Sequence, residues 1–309
     1  MNKETKNITS QDLSQWINEK KSFYLIDVLG NEHFQLAHLP SAFNACVYEV
    51  TFIDQVKVIT EDKDALIVVY GSGRKSMDST AAAEKLLKEG FKYIHIFKGG
   101  IEAWREAGQL LEGNASDDYI DPGTILKIKQ ENRTYKVDND KSILHWTGRS
   151  PGSIHTGSVN ISGGDIIVKE GEVSGKFDID MDSIKNFDLS GDELEPVLIS
   201  HLKSDDFFLT KLFPKATFEI NSAKPVDEPY LSIPNFEIKG FLSIRGVGVS
   251  QDFKATVTET ESGGIAAEAH FDIDRTRWGV IYGSTRFFEH LGMHLVFDLI
   301  SVQVKIIAD

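Results

Sequence analysis

The hydrophobic pattern of the chain follows two rhythms. Up to about residue 112, short runs of consecutive apolar residues alternate with stretches of helical spacing. Phe23 to Val28, Leu66-Ile-Val-Val-Tyr70 and Tyr93-Ile-His-Ile-Phe97 read as buried strands, and Asn44-Ala-Cys46-Val-Tyr48 as a shorter strand or strand end. Between them lie helical patterns. Leu13, Trp16 and Ile17 share a face behind a Thr9 or Ser10 cap, and Glu32 to Leu36 forms a turn before Pro40. Val50 to Thr60, residues 79–89 and Ile101 to Ala107 complete the set, with Asp78 or Ser79 as the cap of the second and Gly90 as its stop. Strands alternating with helices predict a parallel sheet covered on both faces. Ligands of such sheets gather at the carboxyl ends of the strands. Asp27, Cys46, Gly71 and Lys98 stand near those ends and are expected around one pocket.

From about residue 135 the period changes to two. Phe177, Ile179 and Met181 alternate with Asp178, Asp180 and Asp182. Phe236, Ile238, Gly240, Leu242 and Ile244 share a face, as do Phe253, Ala255 and Val257, and Ala267, Ala269, Phe271 and Ile273. Leu295 to Ile307 is apolar on both faces. Many such strands without crossover helices predict an antiparallel barrel or sandwich. One stretch, Pro196 to Phe208, has helical spacing through Val197, Leu198, His201 and Leu202. A barrel of about eight strands accommodates one small ligand. Polar, turn-rich sequence joins the two patterns, with Ile125 to Lys129 as a short strand or helix inside it. The expected division is therefore 1–112, a linker at 113–134, and 135–309.

Charge and cysteine content narrow the function. The net charge is −14, and residues 135–309 hold 17 basic and 27 acidic groups, most of that excess. This argues against nucleic acid or an anionic membrane surface as partner. The single Cys46 excludes an internal disulfide. No apolar run of about 18 residues exists to span a membrane. The N-terminal residues lead into no apolar leader, so a cytoplasmic location is expected. The sequence sets no oligomeric state.

The Leu66–Tyr70 strand runs into Gly71-Ser-Gly-Arg-Lys-Ser76 and then a helix. Free backbone N–H groups and a helix N-terminus converge in that arrangement on an anion. Gly71, Ser72, Gly73, Arg74, Lys75 and Ser76 are thus a candidate anion-binding loop; the alternative is a scaffold without a ligand. It is not a nucleotide P-loop, since Val68 stands where the first glycine belongs and Arg74 separates Gly73 from Lys75. Cys46 has two readings: a small buried hydrophobe, or a thiol activated by Arg74, Lys75 and the helix dipole.

Several of these residues carry a resemblance. Leu25-Ile-Asp-Val28, Glu32, His38-Leu-Pro-Ser-Ala-Phe-Asn44, Val68-Val-Tyr70 and Phe97-Lys-Gly-Gly-Ile-Glu-Ala-Trp104 with Gly108 resemble a rhodanese-like domain over residues 8–112. The resemblance implies sulfur transfer through a cysteine at the first loop position, carried as a persulfide. That position is Gly71 here, and Leu29 replaces an arginine common in active members. Ordinary thiosulfate sulfurtransfer from this loop is therefore not expected. A sulfurtransferase or thiol-redox enzyme would have to use Cys46 beside Arg74 and Lys75.

A second resemblance covers residues 135–309. Tyr135-Lys-Val-Asp138, Leu144-His-Trp-Thr-Gly148, His155-Thr-Gly157, His201-Leu-Lys-Ser-Asp-Asp-Phe-Phe208, Phe213-Pro-Lys-Ala-Thr-Phe218, Leu242-Ser-Ile-Arg-Gly246 and Ile273-Asp-Arg-Thr-Arg-Trp-Gly279 resemble the YceI-like family. The resemblance implies an extended lipocalin-like antiparallel β-barrel with a short helix, holding a polyisoprenoid or a quinone tail in an apolar tunnel. Such a chain leaves water along its whole length, which an apolar lining rewards. The candidate lining is Phe177, Ile179, Met181, Phe207, Phe208, Phe218, Phe236, Ile238, Leu242, Phe271, Phe287 and Phe297. His201, Asp205, Arg275 and Arg277 are candidates for the polar mouth. The motifs His201–Asp206 and Asp274–Arg277 either bind a head group there or pair with each other structurally. No metal is expected, because His290 and His294 flank Gly292 and lack supporting ligands. The expected partner is a neutral lipid or quinone, held non-covalently, with no covalent cofactor. The first domain is then an anion-binding, sensing or docking module.

Overall fold

The computed structural model describes residues 5–114, 132–170, 172–227, 232–260 and 262–309. The chain divides into two compact units, Met1–Pro122 and Gly123–Asp309. Most of the expected linker, including Ile125 to Lys129, lies outside the described residues.

In the first unit the elements follow in order β1 (Lys6–Asn7), α1 (Ser10–Asn18), β2 (Tyr24–Asp27), α2 (Asn31–Leu36), β3 (Phe43–Asn44), α3 (Phe52–Ile59), β4 (Leu66–Tyr70), α4 (Asp78–Glu89), β5 (Tyr93–Phe97) and α5 (Gly100–Glu106). The five strands form a parallel sheet in the order β1-β5-β4-β2-β3. Thr9 caps α1, accepting the Asp12 N–H at 3.1 Å while the Asp12 carboxylate accepts in return. Alternate strand residues feed two cores. Ile26, Ile67, Val69 and Ile94 pack with Phe52, Val56, Ala82 and Leu86 on one face. Leu25, Val68, Tyr70 and Phe97 pack with Leu13, Leu39, Ile101 and Trp104 on the other. Burial on both faces explains the continuous apolar runs.

Two expectations change here. The strand expected over Asn44 to Tyr48 contracts to β3, with Cys46 beyond its end. Neither Asp78 nor Ser79 caps α4; the N-cap is Met77, without a side-chain bond, because the Asp78 carboxylate turns toward the preceding loop.

The second unit comprises β6 (Arg133–Lys136), β7 (Ile143–Arg149), β8 (Ile154–Lys169), β9 (Glu172–Asn186), α6 (Glu195–Lys203), β10 (Lys215–Pro225), β11 (Phe236–Ile244), β12 (Val247–Glu259), β13 (Ile265–Asp274) and β14 (Leu299–Ala308). Every strand pairing is antiparallel, and the long β8 and β9 pair with each other to close an eight-stranded barrel. One stave is made of two pieces: β7 pairs with the first half of β8 and β6 with the second. Ser142 bridges the break, its Oγ donating to Ile307 O and accepting the Ile307 N–H. Register shifts in the β8–β9 pairing bend the long strands around the barrel. The helical stretch expected over Pro196 to Phe208 is α6 followed by a turn. Among the described residues no helix is long and apolar enough to cross a membrane.

Candidate functional site

The loop after β4 holds its anion internally. Ser72 donates to the Asp78 carboxylate through both its N–H and its Oγ–H, each at 3.0 Å, and the Ser79 N–H donates to the same group. The Arg74 N–H points at Glu102 at 3.3 Å, and the Arg74 guanidinium pairs with Glu106 at 3.1 Å. The Ser76 N–H closes a turn onto Gly73 O. Asp78 is 4% exposed. A Cβ built on Gly71 would lie 2.2–2.3 Å from the atoms of that carboxyl group. The space a first-position side chain would need is therefore occupied by Asp78.

The strand-end residues differ in exposure. Asp27 is fully buried and its carboxylate accepts the Leu29 N–H at 2.9 Å. Cys46 is 6% exposed, and its N–H donates to Gln55 Oε1. Lys98 is exposed. Burial pushes the Asp27 carboxyl up to about 7, against the opposing Leu29 hydrogen bond. The unfolded chain releases this proton near its ordinary 3.8. Between those values the folded state holds more proton, so stability falls as pH rises from about 4 to 7, by on the order of 4 kcal/mol at most. Asp27→Asn keeps the acceptor for Leu29 without a charge. It is expected to flatten that slope and raise the melting temperature at pH 8; melts across pH 4–8 that superimpose on wild type would contradict this.

In the second unit a cavity of about 350 Å³ occupies one half of the barrel interior. Of the expected lining, Phe177, Ile179, Met181, Phe207, Phe208, Phe218, Leu242, Phe271 and Phe297 face it. Three do not. Phe236 and Ile238 are buried at the other end of β11, in the packed half of the barrel. Phe287 is 50% exposed, on the irregular segment between β13 and β14. Leu144, Trp146, Ile184, Phe253, Tyr282 and Met293 line the cavity without having been singled out. Phe253 was already legible on the inner face of its strand, and Leu144 and Trp146 alternate inward along β7. Phe253 and Phe271 stack at 4.2 Å between ring centres.

The exposed lining residues, among them Ser153, Met293 and Phe297, mark the open end. Polar groups collect there. The rings of His201 and Tyr282 meet edge-on at 4.7 Å, and Tyr282 Oη lies 3.2 Å from His294 Nδ1. His155 pairs with Asp188 at 2.8 Å. Burial opposes the Asp188 charge, but donation from the Thr156 N–H, His155 and Asn186 outweighs it and brings the carboxyl down to about 2. Of the four expected mouth residues, His201 and Arg275 line the cavity, whereas Asp205 and Arg277 do not. Asp205 faces a shallow outer cleft beside His201, and Arg277 donates to Ser250 O at 2.8 Å.

The two charged motifs do not pair with each other, one of the two alternatives the sequence left open. His201 pairs with Asp206 at 3.2 Å, Asp274 with Arg286 at 2.7 Å, and Arg275 lies 3.6 Å from Asp298. Chain direction explains this: the segment returning after β13 brings Arg286 and Asp298 back to the start of its own turn. Among the described residues no group of three or more His, Cys, Asp or Glu side chains is placed to hold a metal.

Comparison with known proteins covers both units. A YceI-like domain matches residues 135–308 and a rhodanese-like domain residues 9–107. The thiosulfate sulfurtransferase GlpE of Vibrio cholerae is 29% identical over 102 residues, 33% of this chain and 90% of that protein. The crystal structure of Burkholderia cenocepacia BcnA superposes with a TM-score of 0.45 at 19% identity, over 56% of this chain and 99% of that one. A polyisoprenoid binding domain from Saccharophagus degradans gives a TM-score of 0.39 at 15% identity, over 57% and 97%. With its barrel matched from end to end, and a rhodanese-like domain preceding it, the chain belongs to the YceI-like family.

Proposed function

We propose that this protein is a non-catalytic carrier, whose barrel sequesters a neutral long-chain lipid such as a polyisoprenoid or isoprenoid quinone. The observation that carries this reading is the cavity: about 350 Å³, lined along its depth by Phe177, Ile179, Phe218, Phe271 and Val302, with its polar groups gathered at the open end. An amphiphile with one polar end and an apolar chain fits that distribution. The surplus of acidic groups in residues 135–309 favours a neutral ligand over a phosphorylated one. The rhodanese-like unit, spanning 1–112 in this reading, serves as a docking or sensing module. Glycine in place of a nucleophile, and Asp78 in place of an external anion, support a role outside catalysis.

Native mass spectrometry of freshly purified full-length protein, followed by solvent extraction, tests the proposal. The expected result is one apolar molecule of isoprenoid or fatty-chain mass per chain. A ligand-free mass that incubation with quinones and long-chain lipids leaves unchanged would overturn it.

A further inference from the structure

Four connections cross the open end of the barrel: residues 150–153 between β7 and β8, 187–214 between β9 and β10, 245–246 between β11 and β12, and 275–298 between β13 and β14. Large apolar side chains stand out from them into solvent. Ile154 borders the first, Leu212 lies on the second, and Phe287, Phe288, Met293 and Phe297 lie on the fourth, all of them exposed and Met293 at 98%. The Phe287 and Phe288 N–H groups both donate to Ser284 O, on the turn between Tyr282 and Met293 of the cavity lining. The Phe297 N–H donates to Arg149 O at 2.9 Å, which ties the fourth connection to the first. Towards the packed end, among the described residues, the large apolar side chains exposed in this way are Ile167 and Ile233. An apolar patch concentrated on one end of a folded barrel marks a contact surface.

What covers the patch follows from what passes through it. Met293 and Phe297 belong both to the cavity lining and to the exposed rim, so an occupant of the rim also closes over the opening. In the carrier reading a long apolar chain enters there, and its source is a lipid phase. A bilayer against the rim lets that chain pass into the cavity without meeting water. Charge selects the kind of bilayer. The second connection carries Asp192, Glu193, Glu195, Asp205 and Asp206 at this same end, against Lys203 and Lys211, which disfavours an anionic lipid surface. We propose that the open end of the barrel is a docking face for a neutral, zwitterionic bilayer, with Phe287, Phe288 and Met293 inserted at the boundary between headgroups and acyl chains. This docking rests on the carrier reading and supplies its means of loading.

Flotation of the full-length protein with phosphatidylcholine vesicles tests the proposal. Phe287→Ser/Phe288→Ser removes two rings that lie outside the cavity lining. It is expected to weaken vesicle binding at least tenfold, about the scale of withdrawing two half-exposed phenyl rings from an apolar phase. Met293→Ser, at a side chain with almost no protein contact to lose, is expected to weaken it about fivefold. Ile167→Ser/Ile233→Ser takes a similar apolar area from the packed end and is expected to change it less than about twofold. Replacing part of the phosphatidylcholine by phosphatidylglycerol is expected to weaken binding of the wild type. Wild-type protein that stays in the buffer, equal losses in the two double variants, no loss in Met293→Ser, or binding that needs phosphatidylglycerol would overturn the docking face. So would a wild-type dimer in sedimentation velocity that Phe287→Ser/Phe288→Ser dissociates, which would assign the patch to a second copy. Each of these leaves the carrier reading standing if solvent extraction yields a bound lipid. Protein that floats with the vesicles yet yields no lipid on extraction, and takes up none, would overturn the carrier reading and leave the docking face.

Discussion

Arg275→Met is expected to destabilise the barrel by about 3–5 kcal/mol, the usual cost of removing one partner from a buried charged network. Arg275 is 1% exposed. Its guanidinium donates to three backbone carbonyls: Nε to Phe297 at 3.1 Å, Nη1 to Val280 at 2.6 Å and Nη2 to Val296 at 3.0 Å. Burial lowers its pKa, Asp298 and Asp274 partly restore it, and an arginine starts high enough to remain charged. Methionine fills much of the volume but removes the donor from the Val280, Val296 and Phe297 carbonyls and leaves Asp298 with only Arg286 nearby, at 3.8 Å. Those carbonyls belong to the irregular segment that supplies Tyr282, Met293 and Phe297 to the cavity. Ligand affinity should therefore fall together with stability. Arg275→Lys retains the charge without the planar fork, and is expected to recover only part of the loss. Urea unfolding of the three proteins decides the matter: a methionine variant within about 1 kcal/mol of wild type, the range of an ordinary substitution, would show that the carbonyls find other donors.

Gly71→Cys alone is expected to produce only slow thiosulfate-to-cyanide sulfur transfer, although it restores the residue type that rhodanese-like sequences use at this position. The new Cβ would sit 2.2–2.3 Å from the Asp78 carboxyl atoms, and the Ser72 N–H that should stabilise a developing charge is already donated to Asp78. Overpacking of this kind costs about 1–3 kcal/mol, which should register as a lower melting temperature. Adding Asp78→Ala removes the obstruction and frees the donor. The double variant is expected to exceed the single one by about 10²–10³ in thiocyanate formation, the worth of one oriented donor in such a cradle. Equal rates in the two variants would mean that Asp78 swings aside without help, and that the missing thiol was the whole deficit.

Much of this architecture was legible because burial leaves a period in the sequence. Phe177, Ile179 and Met181 announce the inner face of β9, and the run Leu66–Tyr70 announces a strand buried on both sides. Depth leaves no such mark. Phe236 and Ile238 share a strand and a face with Leu242 and Ile244, yet only the latter pair meets the cavity. The difference is distance along the barrel axis, to which a two-residue period is blind. The role of Asp78 was hidden for a related reason. An aspartate just before an apolar helical pattern reads as a cap, and only the three-dimensional loop shows that a glycine-sized gap draws its carboxylate backward instead. Trp146 and Gly157 are unremarkable apart; only the β7–β8 register sets the indole against the glycine. The partners of Asp274 were missed because Arg286 and Asp298 reach it through a segment without period.

The division of the barrel into an open and a packed half bears on the carrier reading. Phe236, Ile238, Val257, Ile265 and Ile306 fill the far end with tightly buried side chains, so the interior is a socket with a floor instead of a bore with two exits. In the carrier reading proposed above, a chain entering past Met293 would stop where those residues begin, and any further length would trail outside. The floor would then act as a depth gauge for the inserted portion while placing no limit on the whole molecule.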